Sequence, residues 1–226
     1  MRLVVIHVAF VQFCQRIVFI TATAHHNHHQ THNLISTNKP HRAYQLFEEM
    51  MLPYLLTFCR LVIGLTFALS FVGKVRDVGQ FAATIGRFKL LPRRWHKTAA
   101  WLFLGGEAAV VILLIAGGPL LPLAFALAGL LLFLFTLALL SALRRGLETS
   151  CNCFGASEKP LTYYDVGRNA GFIACSLLGW WLMAQVPVTT QPSNWAELAL
   201  LGFFAAVFVI VWTQLGELAT LLANPR

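Results

Sequence analysis

Residues 52–73 read LPYLLTFCRLVIGLTFALSFVG. Arg60 is the single formal charge in this stretch, and the rest is aliphatic, aromatic or small. A helix of roughly 20 such residues crosses the ~30 Å hydrocarbon core of a bilayer. Backbone polar groups have no water to bond there, so the segment must be helical. The same signature recurs at about Thr98–Ala116, Leu120–Leu143, Val166–Val186 and Trp195–Leu218. Across all 226 residues, 58% are hydrophobic and 12% charged, about half the charged fraction of a soluble domain. The chain is therefore expected to be all-α, a polytopic membrane helix bundle. Its formal charge of +8 would point to nucleic acid in a soluble protein. Here the basic residues fall in loops, where they set topology and meet anionic headgroups, so the bilayer is the expected partner and nucleic acid is not.

The connections are readable too. GGPLLP from Gly117 predicts a tight turn between the second and third spans, and VPVTTQPSN from Val186 one between the fourth and fifth. The loop after the first span holds Lys74, Arg76, Arg87, Lys89, Arg93, Arg94 and Lys97 against Asp77. The loop after the third span, read through to the start of the fourth helix, carries Arg144, Arg145, Lys159 and Arg168. The two turns on the other side carry no Lys or Arg, so the positive-inside rule places both basic loops in the cytoplasm. Lys39 and Arg42, ahead of the first span, pull mildly the other way. Within the first basic loop, Asp77 is a helix-start signal and Pro92 a stop. Val78, Phe81, Ile85 and Phe88 recur between them at helical spacing, which predicts a short amphipathic helix at the interface. Residues 1–50 differ: a short apolar run with His7, Gln12 and Arg16, then HHNHHQTHNLISTNKPHR. They are expected to be a His-rich, disordered leader. The alternatives are a poor signal peptide or sixth span in the apolar run, loose metal binding by His25, His26, His28, His29 and His32, and a start of translation at Met50 or Met51.

Two charges lie deep in the spans. Arg60 is eight residues into the first helix, and Glu107 nine residues from the far end of the second. At 1.5 Å per residue both are roughly 12–15 Å below the same membrane face. An unpaired charge at that depth is costly, so Arg60 and Glu107 are expected to pair, either as a buried lock on helix register or as part of a substrate or proton site.

The remaining chemistry is in SCNCFGASEKP from Ser150. Cys151 and Cys153 flank one asparagine. Zinc usually takes four ligands and no second pair accompanies these two, so no metal is expected, and no base stands beside either thiol for nucleophilic catalysis. Two readings stay open: idle loop cysteines, or a thiol–disulfide pair. A disulfide across so short a ring is strained and easily reduced, and Arg144, Arg145, Lys159 and Arg168 would favour thiolate. Thr162 and Asp165 then read as start signals of the fourth helix, placing Arg168 and Asn169 near the thiols. Cys59 and Cys175, inside spans, read as small packing residues.

GLTFALSFVGKVRDVGQFAATIGRFKLLP, GGEAAVVILLIAGG, CNCFG and VGRN, taken in that order, resemble the MauE family, methylamine-utilisation membrane proteins of the wider DoxX-like group. The likeness runs from about Leu52 to Val186. It maps a Gly-Lys turn to Gly73 and Lys74, an in-membrane acid to Glu107, the C-x-C-F-G to Cys151 through Gly155, and an Arg-Asn pair to Arg168 and Asn169. The resemblance implies a four-helix domain over 51–186, to which this chain adds a transmembrane helix in 187–226. It also implies maturation of the disulfide-rich small subunit of methylamine dehydrogenase, or delivery of redox equivalents to a thioredoxin-like partner. Cys151 and Cys153 would then be the reacting residues of a thiol–disulfide oxidoreductase, with Arg168, Asn169, Lys74, Arg60 and Glu107 in support. The competing classes are a scaffold or small-solute transporter centred on Arg60 and Glu107, and a DoxX-like oxidoreductase subunit with a membrane quinone as cofactor.

Overall fold

The computed structural model describes residues 39–146, 161–185 and 194–214. The chain divides into two compact units, Met1–Leu55 and Leu56–Arg226; of the first, the helical backbone from Lys39 onward is described. The described elements, in chain order, are α1 (Lys39–Val75), α2 (Val78–Arg87), α3 (His96–Ala116), α4 (Leu121–Arg144), α5 (Tyr163–Met183) and α6 (Trp195–Thr213), with 3₁₀ turns at Arg93–Trp95 and Gly118–Leu120. All described regular structure is helical, as a polytopic bundle requires. The leader before Lys39, the cysteine pair Cys151 and Cys153, and the 186–193 turn lie outside the described residues.

Each boundary has a local cause. The Asp77 side chain accepts a bond from Gln80 N at 2.8 Å and starts α2. α2 is the amphipathic helix its spacing predicts: Phe81 and Ala82 pack with Ala100 and Leu104 of α3, while Arg87 and Lys89 stay exposed. Between α3 and α4 the chain reverses through Gly117 (φ 69°) and Gly118 (φ 56°). These left-handed values favour glycine. α5 opens on a reciprocal capping box: Thr162 N donates to Asp165 Oδ2 at 2.9 Å, while the Thr162 hydroxyl caps the backbone of the first turn.

Among the described residues, four helices are long and apolar enough to cross a membrane, within Met51–Val75, Arg93–Ala116, Gly118–Arg144 and Trp195–Thr213. α5 is not among them, although its 21 residues would reach about 32 Å. Asp165, Arg168 and Asn169 in its first turns lower its apolar character, and Asn169 is buried. Those polar groups therefore need not face lipid. The large apolar residues of the other helices do turn outward, among them Leu102, Ile112 and Ile115 on α3, Leu123 on α4, and Phe203 and Ile210 on α6. Outward-facing apolar side chains are expected where the solvent is hydrocarbon.

Small residues let the helices approach closely, as in other membrane bundles. A Cβ at Gly179 of α5 would come closer to the Phe125 ring of α4 than van der Waals contact allows, and Ser176 donates to Phe125 O at 2.7 Å. Phe58 of α1 meets Phe208 of α6 edge-on at 5.8 Å between centroids. The Trp212 indole of α6 donates to Arg168 O of α5 at 3.0 Å.

Candidate functional site

The polar residues in these spans converge. α1 continues two residues past Gly73, to Val75, and its last turn turns Lys74 inward, where it is 4% exposed. This corrects the sequence reading of Lys74 as a loop cation. The loop boundary is invisible to composition because a Lys at a helix end looks the same whether it reaches water or folds back. Lys74 Nζ lies 2.5 Å from Glu107 Oε1, and Glu107 is 2% exposed. Ser70, one turn earlier on α1, accepts from Lys74 Nζ at 2.9 Å and donates to Glu107 Oε1 at 2.9 Å.

Glu107 is therefore paired with Lys74, not with Arg60 as the depth argument predicts. Arg60 turns the other way: its Nε donates to Leu114 O at 2.7 Å and its Nη2 to Ile115 O at 3.2 Å. These are carbonyls at the C-terminus of α3, which have no partner within the helix and attract a cation. The two heights differ: Arg60 meets carbonyls seven and eight residues beyond Glu107 on α3, roughly 10–12 Å further along it. α1 begins well before Leu52, so the count from Leu52 misjudges the depth of Arg60.

Three rings complete the surroundings of Lys74. Its Nζ lies 5.0 Å from the Phe81 centroid, 4.6 Å from that of Phe103 and 5.5 Å from that of Phe135. Phe103 sits 5.9 Å from Phe81 and 5.8 Å from Phe135, centroid to centroid. With two ammonium protons directed at oxygen, the aromatic faces stabilise the remaining positive charge. Ser70 and this cage are functional candidates that sequence reasoning missed. The i, i+4 spacing of Ser70 and Lys74 was a readable signal. The cage was not, since its rings come from α2, α3 and α4.

Beside the ion pair is a cavity of about 30 Å³, lined by Thr66, Phe67 and Ser70 of α1, Phe103 and Glu107 of α3, Phe135 of α4, and Asn169 and Phe172 of α5, among others. Thus Lys74, Glu107 and Asn169 meet at one place. Arg168, adjacent to Asn169, instead bonds Asp165 within its own helix at 3.3 Å. The thiols of Cys59 and Cys175 are buried and not joined in a disulfide, and they meet each other by a side-chain hydrogen bond between α1 and α5.

The site lies at the end of the bundle where the segment holding Cys151 and Cys153 begins and ends. Leu161, just before α5, packs with Phe88, Leu139 and Ala142, and Phe135 of the cage packs against this cluster. On the other flank, Arg145 donates to Lys89 O at 3.5 Å. Arg76, Arg87, Lys89, Arg93, Arg94, Arg144 and Arg145 are exposed around this end. The arrangement thus offers a buried, charge-balanced polar centre beneath a basic surface.

Comparison with known proteins gives a consistent result. The model of the family described as methylamine utilisation protein MauE matches residues 52–183. The methylamine utilization protein MauE of Paracoccus denitrificans is 28% identical over 169 residues, which cover 74% of this chain and 90% of that protein. No solved structure matches the chain.

Proposed function

The chain belongs to the MauE family of multi-pass membrane proteins, and from that premise we propose that it serves methylamine utilisation as a thiol–disulfide relay through Cys151 and Cys153. The observation that carries this reading is the convergence of Lys74, Glu107 and Asn169 at the bundle end to which the cysteine segment is joined on both sides. Exposed Arg144, Arg145, Lys89, Arg93 and Arg94 at that end favour thiolate over thiol. The buried pair fixes the helices that carry this surface.

The chemistry balances without any other acceptor. A dithiol of a thioredoxin-like partner attacks the Cys151–Cys153 disulfide. A mixed disulfide forms, the second partner thiolate displaces it, and the partner leaves oxidised while the C-x-C pair holds two electrons. The reduced pair then attacks a disulfide of a disulfide-rich substrate subunit and returns to its oxidised form. Two electrons enter and two leave. Neither half of this exchange needs a quinone, so none is invoked.

Complementation tests the proposal. A host lacking this gene, supplied with Cys151→Ser or Cys153→Ser, is expected to insert the protein normally and fail to grow on methylamine. Cys151→Ser is expected to accumulate a mixed disulfide through Cys153. Full growth with both variants would refute the relay. It would favour the second reading, a scaffold or solute transporter, for which the buried Lys74–Glu107 pair is the supporting feature.

A further inference from the structure

Glu107 spends both its bonds on one oxygen. Oε1 receives Lys74 and Ser70, while Oε2, buried, has no partner among the described residues. Asn169 Nδ2, on the facing helix, is likewise buried and unbonded among the described residues. Both side chains line the same cavity. A buried polar atom without a partner is costly, more so when charged, and hydrocarbon offers no rescue. One acceptor and one donor across a small void call for a guest that supplies the opposite of each.

The surrounding charges narrow the guest. α1 contributes Lys74, Ser70 and Thr66, α3 contributes Glu107, α5 contributes Asn169, and the α4 lining is apolar: Leu131, Leu132 and Phe135. Lys74 and Glu107 neutralise one another, so a cation would meet the ammonium and the amide N–H, and an anion would meet the carboxylate. A neutral guest with one donor and one acceptor fits both orphan atoms. The volume of about 30 Å³ compares with the ~10–15 Å³ that one water needs.

We infer that this cavity is a hydrated proton-exchange site, with water donating to Glu107 Oε2 and accepting from Asn169 Nδ2. The step is proton transfer alone: hydronium and carboxylate give water and carboxylic acid, and no electron moves. The site deepens the thiol reading, on which only its use depends. Thiol exchange takes up and releases protons, and Asn169 stands in the opening turns of the helix that follows the cysteines.

Infrared spectroscopy of the protein in nanodiscs tests this. At a pH low enough to protonate Glu107, its carboxylic C=O band, assigned as the difference between wild type and Glu107→Gln, is expected to shift within minutes of transfer to D₂O, ahead of the amides of the spans. Asn169→Leu, which fills the void and removes the donor, is expected to slow that shift by about tenfold or more. Bands that wait for the amides, or an Asn169→Leu variant as fast as wild type, overturn the inference. A wild-type structure fine enough to show waters gives a check that needs no variant: density within hydrogen-bond reach of both atoms supports it, and a dry cavity overturns it. One quinone extracted per chain, and lost in Asn169→Leu, also overturns it by placing a larger guest there. The exchange is expected to persist in the Cys151→Ser, Cys153→Ser double variant. Failure of the thiol relay and failure of the hydrated site are thereby told apart.

Discussion

Lys74 and Glu107 are each intelligible only through the other. Alone, either is a charge buried in a lipid-embedded bundle; together they are neutral, hydrogen-bonded and capped by aromatic faces. Removing one partner is therefore expected to cost about 3–5 kcal/mol, so Lys74→Ala or Glu107→Ala should lower the unfolding midpoint in mild detergent sharply. Lys74→Met combined with Glu107→Leu should recover much of that loss. Arg60→Ala, by contrast, should combine with Glu107→Ala additively, to within about 0.5 kcal/mol, because Arg60 bonds the end of α3 and not the carboxylate. Coupling of Arg60 to Glu107 above that level would restore the pairing predicted from depth. Arg60 and Glu107 were legible in the sequence as charges needing partners, since charged side chains in apolar runs announce themselves. Lys74 was not, because it stands at the end of a span, and the aromatic cage was not, because its rings come from three other helices.

At the level of elements, sequence signals were read best where they act locally. Asp77, Thr162 and Asp165 mark helix starts through bonds within four residues, and Gly117 and Gly118 mark a turn through their own dihedrals. α5 starts at Tyr163, directly behind the Thr162 cap that the sequence signals; its apolar run begins only at Val166, because Tyr163, Tyr164 and Asp165 precede it. Packing between elements was the least legible, and it yields a prediction. Gly179→Ala should destabilise the α4–α5 contact by about 1–3 kcal/mol, because the new methyl group overlaps the Phe125 ring. Gly129→Ala, on the same pair of helices, would place its Cβ 3.5 Å from Ser176 Oγ, an ordinary contact, and should cost less than about 1 kcal/mol. Thermal unfolding of the two variants side by side checks the difference. Equal behaviour would mean that α4 and α5 do not meet through Phe125 and Gly179.

For the whole molecule, burying Lys74 removes one cation from the count that sets orientation, but Arg76, Arg87, Lys89, Arg93, Arg94, Lys97, Arg144 and Arg145 remain exposed at the same end. The positive-inside rule still assigns that end to the cytoplasm. Reporter tags near Arg93 and at the C-terminus should therefore read as cytoplasmic, and one near Thr189 as external; an external signal at Arg93 would reverse the assignment. Under the proposed relay, that orientation would make the electron donor to Cys151 and Cys153 a cytoplasmic thioredoxin-like protein. The central claim is that these two thiols cycle, and the most direct measurement is mass-tag alkylation of the protein in intact membranes, before and after reduction. The account predicts that part of the population carries the Cys151–Cys153 disulfide, and that this fraction changes when cells are shifted onto methylamine. Two thiols that are free under every condition would contradict it.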